Sequence, residues 1–133
     1  MTLKNAYLIV EEKAENIHFK KEIGKDLHFK RLFNWNKGFV MARNCLKLEL
    51  YSNDELIGQV GIDNDDYIFG LSVKPKYQKN GYGTKLMKKI EKYAKGNKLY
   101  LRPANKKLIK FYEKLGYKTD HTDQYGLVMT KKI

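Results

Sequence analysis

Apolar and polar residues alternate along Leu46–Tyr51 (LKLELY), the mark of a strand with one buried face. Ser52-Asn53-Asp54 supplies turn chemistry, and Leu56–Asp63 (LIGQVGID) continues as a second strand, so the two predict a hairpin. After a further turn at Asn64-Asp65-Asp66, Tyr67–Val73 (YIFGLSV) is almost wholly apolar, which predicts a central strand buried on both faces. Upstream, Ala6–Glu12 reads as a first strand. Between Ala14 and Trp35, Ile17, Phe19, Ile23, Leu27 and Leu32 recur among lysines, a spacing that predicts one helix, or two broken near Gly24. Downstream, Leu86, Met87, Ile90, Tyr93 and Ala94 predict an amphipathic helix stopped at Gly96-Asn97. Leu99–Leu101 is a short strand. Leu108, Phe111, Tyr112 and Leu115 mark a second helix capped by Gly116, and Tyr117–Thr122 with Gln124–Thr130 predict a closing hairpin. An antiparallel meander feeding a β-α-β-α unit makes a mixed α/β sheet, and 133 residues make one domain spanning 1–133.

Composition sharpens this picture in two ways. Apolar residues form 42% of the chain, with ten Tyr and six Phe, enough for a core and against disorder. The single cysteine, Cys45, excludes an internal disulfide, and no apolar run has the length of a membrane span or the pattern of a signal peptide. These features predict a cytoplasmic protein with no membrane contact, monomeric or homodimeric. The net charge is +12, and it is unevenly placed. Lys74–Lys118 carries 15 Lys and Arg against two acids, Glu91 and Glu113, a net of +13, while the rest of the chain is at −1. Such a segment is either a solvated surface or a field for an anionic partner: a nucleotide-like cofactor, RNA, or an acidic protein surface.

That basic segment opens on VKPKYQKNGYGTKL, Val73–Leu86, where Gly81 and Gly83 stand one residue apart between a strand and a helix. Unpaired amides at a helix start, with the helix dipole behind them, attract anions, and glycine lets a phosphate come close to the backbone. Lys76, Lys79 and Lys85 flank the loop. The spacing is neither a P-loop nor the dinucleotide fingerprint, since position 86 is Leu.

The wider stretch V-x-P-x-Y-Q-x-x-G-Y-G, with Gln78, Gly81 and Gly83 at its core, resembles the acetyl-coenzyme A motif of the GNAT superfamily of N-acetyltransferases. Farther on, Asn105 and then Phe111-Tyr112-Glu113-Lys114-Leu115-Gly116-Tyr117 resembles the family's second cofactor motif. The match covers about Leu46 to Tyr117; the first 45 residues agree only in layout. The resemblance implies a mixed, mostly antiparallel sheet with helices on both faces, in the order β-α-α-β-β-β-α-β-α-β-β. It implies acetyl transfer from acetyl-CoA to a primary amine by direct attack in a ternary complex, with no metal. The backbone of Leu71, Ser72 and Val73 would hold the pantetheine arm. Amides from Gln78 through Lys79, Asn80, Gly81, Tyr82 and Gly83 to Thr84 would hold the pyrophosphate. Asn105 would touch the pantetheine region, and Tyr112 would be the general acid for the leaving thiolate. Read without the resemblance, Tyr112 is a core residue, Asn105 an N-cap, and Gly83 a close-packing position.

The chain departs from the family's pattern at the base. Many members carry a glutamate on the strand entering the loop, and Tyr67–Val73 has no acid. Asp65 and Asp66 lie just upstream. Asp120, His121 and Asp123 lie in the last hairpin, and His121 has the intrinsic pKa of a base; a water chain is the alternative. Asp63, Asp65, Asp66, Asp120 and Asp123 would favour a cationic acceptor such as a polyamine, an aminoglycoside, a protein lysine or an N-terminus, if they line that end; otherwise they are turn residues. Two other functions stay open: a basic RNA-binding module, and a coenzyme A-binding protein with weak activity.

Overall fold

The computed structural model describes the backbone of residues 5–14, 17–30 and 39–133, and side chains over 17–24 and 45–133. Eight strands form one sheet: β1 (Asn5–Ala14), β2 (Ile17–Lys30), β3 (Phe39–Ser52), β4 (Glu55–Asp63), β5 (Tyr67–Val73), β6 (Lys98–Leu101), β7 (Lys118–Asp123) and β8 (Gly126–Lys132). Helix α1 (Tyr82–Glu91) joins β5 to β6, and α2 (Lys106–Lys114) joins β6 to β7. The spatial order is β1-β2-β3-β4-β5-β6-β8-β7, and every pairing is antiparallel except β5–β6. That single parallel pair is the one that needs a helical crossover, and α1 provides it. The sheet is mixed and mostly antiparallel, as the sequence led us to expect.

The largest departure lies in the segment read as helical. Ile17–Lys30 is a strand, paired residue for residue with β3 from Ile17↔Ser52 to Lys30↔Phe39. Phe19, Ile23 and Leu27 stand four apart, a spacing common to a helix face and to one side of a strand. Ile17 with Phe19, and Leu27 with Phe29, stand two apart, which only a strand places on one face. Residues 31–35, the end of the expected helical stretch, lie outside the described residues. The described helices are therefore α1 and α2, and both lie on the same face of the sheet.

Register shows which face that is. Leu46, Leu48 and Leu50 pair with Ile62, Val60 and Gly58, and a side chain at Gly58 would point at Leu86 of α1. Phe19, Leu48, Leu50, Val60, Ile62, Ile68, Leu99, Leu101 and Met129 bury themselves there under Leu86, Met87 and Ile90. On β8 the amine of Lys131 reaches Glu91 of α1 (3.0 Å), and its stem lies beneath Gly116 after α2. The opposite face is polar even where it is buried: Lys47 sits 3.2 Å from Glu22 and 3.6 Å from Glu49, beside buried Gln59.

Gly58 is where α1 comes closest. A methyl group added there would stand 2.8 Å from a Leu86 methyl and 3.0 Å from the Ser72 carbonyl oxygen, and Leu86 is fully buried. Gly58→Ala is expected to destabilise the fold by about 1–3 kcal/mol through overpacking, read as a melting temperature lower by several degrees. An unchanged melting temperature would mean that α1 has room to shift.

Candidate active site

The site is a wedge in the sheet. Strands β5 and β6 pair only at Tyr67↔Tyr100 and Ile68↔Leu101. Beyond Ile68, β5 continues along β4 to Gln59↔Ser72 and Gly58↔Val73, while β6 ends at Leu101. A register irregularity between Gln59 and Gly61, with Gly70 at φ 67°, bends the strand where it leaves β6. From Phe69 to Val73 the β6-facing edge has no strand partner. This corrects the expectation of a strand buried on both faces: only Ile68 and Val73 are buried, and Gly70 is exposed.

The glycine loop follows directly. Pro75–Tyr77 forms a single 3-10 turn. The Tyr77 hydroxyl donates to Glu55 (2.7 Å), which also meets Lys76 (3.0 Å) and Lys74 (3.4 Å). These donors hold the Glu55 carboxyl well below its usual range, at about 2. The Gln78 amide donates to the Val73 carbonyl (2.9 Å), so Gln78 ties the loop to the end of β5. The Asn80 amide donates to the Tyr77 and Gln78 carbonyls, closing the loop on itself. Lys79 and Gly81 both take positive φ, 66° and 81°.

The two glycines have different tasks. Gly81 is the N-cap of α1, with no protein atom within 4 Å of where a side chain would begin and no side chain capping the helix. The first turn of α1 contains no acid, and its opening amides have no partner within the helix. That is an open, positively polarised cradle. Gly83 lies one residue inside, and a side chain there would begin 3.4 Å from the Phe111 ring. It lets α2 pack against the first turn of α1.

On α2, Asn105 is the N-cap, its Oδ1 accepting from the Leu108 amide at 3.2 Å. The Tyr112 ring packs edge-on against Phe111 and Tyr117 and is 5% exposed. Among the described residues its hydroxyl has no hydrogen-bond partner, and burial pushes the phenol up to about 12. Tyr117 makes the contrast: its hydroxyl donates to Glu91 (2.6 Å), which also pairs with Lys131, so this tyrosine locks α1 to the end of α2. Cys45, the only cysteine, is buried, and its thiol is pushed up to about 11 by that burial.

The last hairpin extends past the end of β6 toward the opening of the wedge, because Leu101 pairs with Met129 and the tip lies beyond it. Arg102, the residue after β6, holds that tip with a two-pronged contact to Asp123 (2.7 and 2.6 Å) and a bond to the Gly126 carbonyl (3.2 Å). His121 sits on exposed β7, its Nδ1 2.5 Å from Asp120 and its Nε2 4.0 Å from Asp123. Two of the remaining acids, Asp63 and Asp66, are occupied locally. Asp63 accepts the Asp65 and Tyr67 amides, and buried Asp66 accepts the Lys95 and Gly96 amides at 2.7 Å each. Their first task is turn geometry rather than an electrostatic field. Among the described residues no three His, Cys, Asp or Glu side chains gather as a metal site needs, and no helix is long and apolar enough to cross a membrane.

The sequence profile of the acetyltransferase (GNAT) family matches residues 8–117. The chain belongs to the GNAT family. Among solved structures, the GNAT chain is similar to the PaiA N-acetyltransferase of Thermoplasma acidophilum in complex with coenzyme A, at 28% identity and a TM-score of 0.61 over 68% of this chain and 62% of that one. It shares the fold of a GCN5-related N-acetyltransferase from Rhodopseudomonas palustris (24%, TM-score 0.61, 67% and 62% covered). It also shares that of the ribosomal-protein-S18-alanine N-acetyltransferase from Escherichia coli (23%, TM-score 0.56, 68% and 70% covered). The match spans less than two thirds of the length of the first two structures. No curated protein sequence matched the chain significantly.

The two sequence motifs thus come together around one wedge. Arg102 was missed from sequence because its partner, Asp123, is 21 residues away, and only the antiparallel return of β8 brings them together.

Proposed function

We propose that this GNAT protein is an acetyl-CoA-dependent N-acetyltransferase acting on a primary amine by direct transfer. The observation that carries the reading is the wedge between β5 and β6, flanked by the uncapped start of α1 and by a buried tyrosine whose hydroxyl has no protein partner. Acetyl-CoA supplies an acetyl group activated as a thioester. The backbone edge of Leu71, Ser72 and Val73 would orient the pantetheine arm, as an added strand is oriented. Amides over Lys79–Thr84 would hold the diphosphate, whereas the backbone amide of Gln78, counted among them from sequence, already donates to the Pro75 carbonyl. The side-chain amide N–H group of Asn105 would donate to the arm while its carbonyl oxygen caps α2.

Tyr112 would donate its hydrogen bond to the sulfur as negative charge develops there. A phenol near 12 gives up its proton to a thiolate uphill by roughly three pKa units, so the hydroxyl acts chiefly as a donor. The amine's proton would leave through water, and His121 of the last hairpin, braced by Asp120, would be the candidate side chain to take it. A buried cysteine with its thiol at about 11 argues against an acyl-cysteine route and for direct attack.

The test is a thermal-shift titration with acetyl-CoA, followed by a thiol-release assay across polyamines, aminoglycosides and peptides with a free N-terminus or lysine. A rise of several degrees at saturating acetyl-CoA is expected, with thiol release for one class of amine. Absence of a shift would remove the enzyme reading. A shift without turnover for any amine would leave a coenzyme A-binding protein.

A further inference from the structure

We propose that the outer faces of α1 and α2 form a docking surface for a nucleic-acid strand, held through its phosphates. The inference is independent of the acetyl-transfer reading. It begins with where the charge falls: the net +13 of Lys74–Lys118 lies on the segment that builds both helices. The C-terminal part of α2 meets the first turn of α1 through Phe111 at Gly83, and Tyr117, just past α2, meets the last residue of α1, Glu91. The lysines on their solvent sides are therefore neighbours on one side of the sheet.

On α2, Lys106, Lys110 and Lys114 recur every four residues, a row about 12 Å along the axis that turns roughly 80° around it. On α1, Lys88 and Lys92 repeat the same step of about 6 Å. All five are exposed, and among the described residues none has a carboxylate partner. The acids that could neutralise them are few: Glu91 is turned to Tyr117 and Lys131, which leaves Glu113.

The amide cradle does not reach all of this charge. Lys88 and Lys92 lie six and ten residues beyond Tyr82, about 9 and 15 Å along the helix from the cradle. An acidic protein partner fits less well, because protein interfaces draw on aromatic anchors and arginine forks, and this face presents lysines. Evenly stepped point charges suit a polymer that carries one charge per residue and is held without sequence readout.

The experiment is fluorescence anisotropy with a labelled 20-nucleotide RNA, its DNA equivalent and a 20-base-pair duplex, between 50 and 200 mM KCl. The full chain is compared with Lys88→Gln/Lys92→Gln, residues away from the cofactor cradle. Binding at 50 mM is expected, with a log–log salt slope of about −3 to −4 for single strands; the variant should lose about 1.4 of that slope and bind several-fold more weakly at 100 mM. The variant should keep the acetyl-CoA thermal shift of the wild type, which shows it is folded. Comparing RNA with DNA identifies which strand is preferred, and preference for either supports the proposal. No binding at 50 mM, equal binding by the variant, or equally tight binding of polyglutamate with the same salt slope would each overturn it. If the wild type bound RNA but showed no acetyl-CoA shift, the enzyme reading would fall and this one would stand.

Discussion

Gly81→Glu is expected to abolish the acetyl-CoA thermal shift and to weaken cofactor binding by about two orders of magnitude or more. Nothing in the protein stands within 4 Å of where the new side chain would begin, so the glutamate enters open space rather than the core. That space lies in front of the uncapped amides of α1. A carboxylate there would share that space with a diphosphate held by those amides, and like charges about 4 Å apart repel. Each pair of like charges at that range costs about 1 kcal/mol in bulk water and up to about 4 in a partly shielded site. Two phosphate charges therefore cost roughly 2–8 kcal/mol, and each 1.4 kcal/mol is tenfold in affinity. The backbone adds a separate effect. Gly81 sits at φ 81°, where a residue with a Cβ is strained by about 1–2 kcal/mol. Gly81→Ala carries that strain without the charge, so it is the control. The expected order is wild type, then alanine slightly weaker, then glutamate without a shift, measured by thermal shift and by calorimetric titration. Equal loss in alanine and glutamate would mean that loop conformation, not an anion site, decides the result. Full retention in glutamate would move the diphosphate elsewhere.

What could be read from sequence divides by distance along the chain. The glycine loop, α1, β6 and α2 were legible because each is set by local chemistry: a proline, close glycines, an asparagine before a helix, and apolar residues at helical spacing. Asn105 as an N-cap belongs to the same class, whereas α1 ends at Glu91, short of the stop read at Gly96-Asn97. The ambiguity at Ile17–Lys30 has a different origin. Its apolar residues satisfy both periods in part, and what makes it a strand is the long β3 beside it, a partner that a local pattern does not report. The wedge was legible only through the family resemblance. A run such as YIFGLSV looks like a fully enclosed strand, and the early end of β6 is what opens its edge. The least legible contacts are the ones that join distant residues: Arg102 to Asp123, Tyr117 and Lys131 to Glu91, and Asp66 to the turn after α1. These explain why the acids near the wedge, read from sequence as a field for a cationic amine, are largely committed to the fold.

Tyr112→Phe is expected to lower kcat by about 10²-fold while leaving the acetyl-CoA affinity within a few-fold of wild type. The substitution removes one oxygen and keeps the ring, which packs edge-on between Phe111 and Tyr117. Because that oxygen has no partner among the described residues, its removal breaks no hydrogen bond within the fold, and the melting temperature should change little. The residue is buried, but its oxygen is not among the buried atoms left without a partner, so it is open to an incoming group, and that group would be the sulfur as it gains charge. An interaction made only as charge develops lowers kcat when lost, and losing one well-placed donor typically costs 10²–10³-fold. The raised phenol pKa fixes the sign of the pH dependence. With the folded value near 12, the hydroxyl stays protonated throughout the usual assay range, so an alkaline fall in kcat below about pH 11 would have to come from another group. Tyr117→Phe is the matched control. It removes a hydroxyl that donates to Glu91 and so should lower the melting temperature, with kcat per folded molecule near wild type. If Tyr112→Phe instead kept full turnover, Tyr112 would be core filling and the leaving sulfur would have to take its hydrogen bond from water.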